Sequence, residues 1–144
     1  MSYLDTSKVS LSGWIDNRAR NVNLDYPCPK GVAISDYQNH DSPKLFLELS
    51  QEEQMELFAW CYNSLDKVGK INHEHTSYGL KHIFERSPLG FYVSNGALAG
   101  AMIIAGFKHG FIHGKNMNFN VSEKSIKAVA GKQIDFSLNR LKFI

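Results

Sequence analysis

The chain is poor in cysteine and has no long hydrophobic run. Its two cysteines, Cys28 and Cys61, lack the paired spacing of a zinc site or a redox motif, so we expect free thiols. No segment approaches the roughly 18 apolar residues that a membrane span requires. The N-terminus also lacks the basic and then apolar layout of a signal peptide. These absences predict a cytoplasmic protein without a membrane partner.

Charge of neither sign dominates the composition, but the two signs are unevenly distributed. Residues 1–60 carry five Lys or Arg against nine Asp or Glu, whereas residues 61–144 carry eleven against five. A positive surface in the second part would attract nucleic-acid phosphates whatever the base sequence. A polar, lysine-dotted surface, which most soluble proteins have, would give the same excess.

The length of 144 residues, 43% of them hydrophobic, predicts a single globular domain. Residues 1–44 show no clear apolar period and are expected to form an irregular N-terminal arm, with a short strand near residues 31–34. Ser50 and Glu53 have the spacing of a capping box. Apolar residues at steps of three and four then predict a helix over about residues 51–67, with its aromatic stripe in the core.

Two further helices are predicted in quick succession. Thr76 indicates the start of the first, and the turn containing Pro88 ends it. Ser94 is a good N-cap for the second, which is expected to run to about residue 105 and to end at Gly106. This second helix is rich in small residues and has no charge.

An extended segment follows these helices. Residues 116–121 alternate Asn with Met, Phe and Val, which is the pattern of a half-buried strand. Ser122 can cap another short helix, and residues 134–138 suggest a final strand. The order of elements predicts an α+β fold: a helix-turn-helix-like core with a small sheet or wing.

This arrangement predicts binding to double-stranded DNA, because such a domain inserts one helix into the major groove. The start of the second helix would face the bases, basic side chains would hold phosphates, and the wing would touch the backbone or minor groove. The arginines of the arm would enter the minor groove, and a solvated surface loop is the alternative for them. The residues predicted to contact DNA are Arg18, Arg20, Lys81, Arg86, Ser94, Asn95, Ala97, Ala99, Lys108, Lys115, Asn118, Asn120 and Lys124. The same residue pattern also fits close packing of the small-residue helix in the core, and asparagines that solvate an edge strand.

Histidines give the strongest signal for an enzyme. His73, His75 and His82, with His113 further on, have types and spacings from which a metal-dependent nuclease site could be built. The sequence has no HExxH pattern and no cluster of acids for two metals. No serine stands in a nucleophile elbow, and the glycines after residue 105 lack a following Gly-Lys-Ser/Thr. Neither catalysis nor a metal or other cofactor is therefore predicted.

Four segments carry a resemblance to known proteins: SYGLKHIFE at residues 77–85, FYVSNG at 91–96, GAMIIAGF at 100–107 and NFNVS at 118–122. Together they resemble small proteins of bacteriophages and phage satellites. These are similar to the DNA-binding parts of phage homing endonucleases, satellite replication initiators and derived repressors. The resemblance implies binding to a defined DNA site, as a repressor or origin binder, with no nuclease domain in this chain. A palindromic site would imply a homodimer.

A protein of another class fits the same sequence. Phages also encode small inhibitors of host defence, and this chain would then bind a host protein through its acidic first half and its small-residue helix face. Such an inhibitor would bind a protein tightly and would be indifferent to DNA.

Overall fold

The computed structural model describes the backbone of residues 2–110 and 115–131, and the side chains from Leu11 onward within those ranges. Its helices are α1 (Ser2–Asn21), α2 (Ile34–Asp36), α3 (Gln51–Ser64), α4 (Ser77–Glu85) and α5 (Asn95–Ile104). A further helix, α6, covers residues 123–131. Between α2 and α3 the chain forms a π turn, Tyr37–Asp41, and a 3₁₀ helix, Pro43–Glu48.

The predicted irregular arm is wrong, because α1 occupies nearly half of it. No strand forms near residue 31: Gly31 adopts a positive φ of 87° in a turn, and α2 starts at Ile34. Among the described side chains of α1, Ile15 is the one buried apolar residue, and Leu11 and Ala19 are partly buried against the core.

The capped starts of three helices are confirmed. The Ser50 hydroxyl accepts from the Glu53 amide, and the Glu53 carboxylate accepts from the Ser50 amide, which completes the capping box of α3. Thr76 and Ser94 cap α4 and α5 with their side chains. Helix α3 ends at Ser64, earlier than predicted. The residues that follow form hydrogen bonds with backbone distant in sequence; the Val68 amide, for example, donates to the Asn120 carbonyl.

The predicted α+β fold with a sheet or wing is wrong. The described residues are helical apart from loops and isolated bridges, Lys67 to Val121 and His109 to Phe119. Residues 116–121 are extended as predicted, with their apolar side chains buried, but they lie between the loop after α3 and the chain after α5. The predicted strand at residues 134–138 lies outside the described residues.

The side chains of Asn118 and Asn120 add to the hydrogen bonds that the backbone of this segment forms with the chain on both sides. Asn118 Nδ2 donates to the His75 carbonyl at 2.7 Å. Asn120 Nδ2 donates to the Val68 carbonyl at 2.9 Å, and its Oδ1 accepts from the Lys108 amide at 2.7 Å. Because loops on both sides present backbone groups at irregular spacing, side-chain amides bind them where a regular ladder cannot. Their alternation therefore has a structural cause.

Helix α5 is the centre of the core. Every residue of it is buried, and it packs against α1, α3, α4 and the 3₁₀ helix. Its small residues allow this approach: a Cβ on Gly96 would overlap the Ser42 carbonyl, and a Cβ on Gly100 would overlap the Pro43 carbonyl. The sequence feature that suggested a DNA-reading surface is thus a core-packing surface.

Candidate functional site

The helix predicted to face bases has no exposed surface for them. Asn95 is 5% exposed, and Ala97 and Ala99 are 1% and 2% exposed. The Ser94 hydroxyl is used as the cap of α5, accepting from the Ala97 amide. A base-pair edge cannot reach these groups while the domain is folded in this way.

The predicted phosphate-binding residues fall into two groups. Lys81 is buried, and its Nζ donates to Glu85 at 2.9 Å and to the Val93 carbonyl at 3.1 Å, so it is neutralised inside the fold. Asn118 and Asn120 are occupied with loop backbone. Arg18 is half-buried. The exposed members of the set are Arg20, Arg86, Lys108, Lys115 and Lys124.

A cationic surface forms where α1 meets the end of α3, and it contains one predicted residue and three that sequence reasoning missed. We call it the α1–α3 patch: Trp14, Arg18, Tyr62 and Lys67. Trp14 is 40% exposed and Tyr62 is 48% exposed. The two rings pack edge to face with centroids 5.6 Å apart. Two large aromatic rings therefore lie at the surface beside two cations.

Cation–π contacts hold both cations in place. The Arg18 guanidinium carbon lies 5.0 Å from the Trp14 ring centroid. Lys67 Nζ lies 5.3 Å from the Tyr62 centroid and 4.6 Å from that of Phe107. A ring face attracts a cation without neutralising it, so the full charge stays available to an anion.

The two cations converge over Gly106. This glycine follows α5 with a φ of 96°, and a Cβ placed on it would lie 3.3 Å from Arg18 Nη2 and 3.7 Å from Lys67 Nζ. Arg18 Nε donates to the Ile104 carbonyl at the end of α5, which fixes the guanidinium there. The glycine that ends the helix thus also leaves room for both head groups.

Neither cation of the patch has an acidic partner in the part of the chain that the structure describes. The ion pairs found there join Lys44 to Asp25, Lys81 to Glu85, and two histidines to glutamates. Arg18 and Lys67 are in none of them. Both cations of the patch therefore lack an ion-pair partner among the described residues.

The described histidines do not form a metal-binding cluster. Three of them have separate partners: His75 with Glu123, His82 with Glu85, and His109 with Tyr26. Within residues 11–110 and 115–131, no group of three His, Cys, Asp or Glu is arranged to hold a metal ion. His113 lies outside the described residues. The arrangement gives no support to a nuclease centre.

Cysteine chemistry is equally unsupported. Cys61 is completely buried, and burial raises the pKa of its thiol far above the ordinary value. Cys28 is half-buried and donates its thiol hydrogen to the Val32 carbonyl. A nucleophilic cysteine needs an accessible thiolate, which Cys61 does not provide.

The sequence contained part of the signal for the α1–α3 patch. Trp14 and Arg18 are four residues apart, the spacing at which side chains meet on a helix. Lys67 and Tyr62 gave no comparable signal, because their position depends on how α3 packs against α1. Among the described helices, none combines the length and the apolar character needed to cross a membrane. Comparison of the chain with protein-family models, curated proteins and solved structures found no match.

Proposed function

We propose that the protein binds double-stranded DNA through its phosphate backbone, with the α1–α3 patch at the centre of the contact. One observation carries the proposal: the head groups of Arg18 and Lys67 converge over Gly106, and no described carboxylate pairs with them. Two like charges held this close repel each other, and an anion between them removes that repulsion.

A phosphodiester suits the pair of donors. The guanidinium of Arg18 presents planar N–H donors, and the ammonium of Lys67 is a compact point charge. One phosphate has two free oxygens and can accept from both. Lys108 is exposed and directly follows Phe107, whose ring contacts Lys67, so a further cation is available for a neighbouring phosphate.

The duplex is favoured over a single strand by the state of the rings. Base stacking requires a free ring face, as in single-strand binding proteins. Here Phe58 lies stacked on Tyr62 with an interplanar angle of 18°, and Lys67 lies over the same ring. Arg18 lies over Trp14. The rings therefore serve to position cations more than to stack on bases.

This mode differs from reading bases with α5. Phosphate contacts position a protein on DNA but carry no sequence information. A repressor or an origin binder of the phage type would need base contacts in addition, from residues other than Asn95, Ala97 and Ala99, which are buried.

Fluorescence anisotropy of a labelled random duplex across a salt series tests the proposal. In B-DNA each phosphate contact adds about 0.9 to the slope of log K against log salt, so the Arg18→Ala, Lys67→Ala double variant, which removes both donors to one phosphate, is expected to lose about 0.9 from that slope. Arg86→Ala removes one charge from the turn after α4 and serves as the control, with the slope expected to stay unchanged.

Two further measurements make the result specific. Arg18→Lys keeps the charge and should retain most of the affinity for duplex. If Arg18 served only to bind the Ile104 carbonyl, Arg18→Lys would instead lower the affinity as much as Arg18→Ala. The same salt series with labelled single-stranded DNA shows whether the protein prefers the duplex or the single strand. Wild-type protein that fails to bind duplex at low salt, or a double variant with the wild-type slope, would refute the proposal.

A further inference from the structure

A second surface lies on the other side of α3 from the α1–α3 patch. Trp60 and Tyr62 are two residues apart, and a helix turns by about 200° over that distance, so their side chains point to opposite flanks. On the Trp60 flank there is an open groove of about 450 Å³ between α3, the turn after α4 and α6. Glu56 and Trp60 of α3, Phe84 of α4, Leu89 of the following turn, and Ala128 and Val129 of α6 line it.

The floor of this groove is aromatic and its wall is an exposed leucine. Trp60 packs edge to face on Phe84 with centroids 5.4 Å apart, and the Trp60 ring is only partly buried. Leu89, at the groove edge, is 68% exposed. The groove therefore offers a Trp floor and an exposed Leu edge to the apolar side chains of a partner.

The rim on α3 is acidic. Glu56 lines the groove, and Glu52 lies one turn before it on the same side of the helix. Both are exposed, and neither forms an ion pair with a described residue. Glu53, by contrast, is occupied in the capping box. Two carboxylates one turn apart beside an apolar groove complement a partner that is apolar in the middle and basic along one edge.

We propose that this groove binds a basic amphipathic helix of another protein. Helices commonly dock into grooves by placing apolar side chains at positions i, i+3 or i+4, and i+7 against the floor. Here those anchors would contact Trp60 and Leu89. A Lys or Arg one turn away on the partner would pair with Glu56. The groove is separate from the α1–α3 patch, so both ligands can bind together.

Two labelled helical peptides provide the probe. Both carry leucines at i, i+3, i+4 and i+7; one has lysines along one edge of the leucine face, and the other has glutamates at the same positions. Anisotropy with the full chain is expected to show binding of the lysine peptide alone. Glu56→Lys should weaken that peptide at least fivefold and should strengthen the glutamate peptide, since the charge pair is inverted.

Leu89→Asp and Leu47→Asp are the matched pair for the apolar contact. Both leucines are exposed, at 68% and 51%, but only Leu89 lines the groove. We expect Leu89→Asp to reduce peptide affinity at least tenfold, with Leu47→Asp unchanged and duplex binding unchanged in both. Equal binding of the two peptides, equal effects of the two variants, or no binding of either peptide would overturn this inference and would leave the DNA proposal intact.

Discussion

Asn95 connects three segments that are far apart in the sequence. Its Nδ2 donates to Asp41 at 3.0 Å, to the Lys115 carbonyl at 3.0 Å and to Asn116 at 3.1 Å. Its Oδ1 is buried and has no hydrogen-bond partner among the described groups. An unpartnered buried acceptor such as this Oδ1 costs free energy. The hydrogen bonds of Nδ2 offset that cost, and one of them satisfies the carboxylate of Asp41, which is itself buried.

Replacing Asn95 by alanine should therefore reduce stability. The change leaves the Asp41 carboxylate buried without its amide donor, which costs about 1–3 kcal/mol. Urea unfolding of Asn95→Ala measures this, with Asn63→Ala on the exposed side of α3 as control. Because Asn95 is buried, the affinity of the folded variant for random duplex should equal that of the wild type. A variant with wild-type stability and altered base preference would instead support base reading by α5.

Among the elements, α5 depends most on close backbone approach. Asp41 and Ser42, which precede the 3₁₀ helix, lie directly against Gly96, and the 3₁₀ helix itself lies against Gly100 through the Pro43 carbonyl and the Phe46 side chain. Each glycine lowers helix propensity by about 1 kcal/mol relative to alanine. The helix tolerates this cost because contact with the 3₁₀ helix requires it.

Two glycine substitutions should have opposite effects on stability. In Gly100→Ala the new methyl overlaps backbone that cannot move freely, so we expect a loss of at least about 1–3 kcal/mol. In Gly79→Ala, within α4, nothing lies within 4 Å of the new methyl. That variant should gain up to about 1 kcal/mol from helix propensity. Thermal unfolding of both compares them directly, and equal shifts would show that α5 packs more loosely than these contacts require.

Elements whose signals are local could be predicted from the sequence. The starts of α3, α4 and α5 depend on Ser50, Thr76 and Ser94, each of which binds an amide within three residues. No such local signal shows that the predicted wing is absent. Alternating Asn and apolar residues describe an extended segment, but they do not show whether its neighbours are strands or loops.

At the scale of the whole molecule, the candidate site could not be predicted beyond the four-residue spacing of Trp14 and Arg18, because its other residues are brought together only by folding. Arg18 and Ile104 are 86 residues apart in sequence, yet the guanidinium binds the end of α5. The small residues of α5 were likewise compatible with either a buried helix or a DNA-facing one. Choosing between the two required knowing that the 3₁₀ helix covers α5.

The carboxylates of Glu85 and Glu123 make the stability of the molecule depend on pH. Burial alone raises the pKa of Glu85, but hydrogen bonds from Lys81 and from the Val93 amide outweigh it and lower the pKa below the ordinary value. His75, and after it Asn72, lowers the pKa of Glu123, which joins α6 to the loop after α3. Both groups thus hold protons less readily when the protein is folded.

The whole domain should therefore lose stability in acid. A carboxylate whose pKa is lowered in the folded state stabilises the protein at pH values above its unfolded-state pKa, which is near 4.5. That contribution disappears as the pH falls through the folded-state pKa. Urea unfolding of the wild type between pH 6 and about pH 3 should show this decline. In Glu85→Gln the protein should be less stable at pH 6 and should show a shallower decline, whereas exposed Glu48→Gln should follow the wild type. Parallel curves for Glu85→Gln and the wild type would mean that the Lys81 pair does not contribute to acid sensitivity.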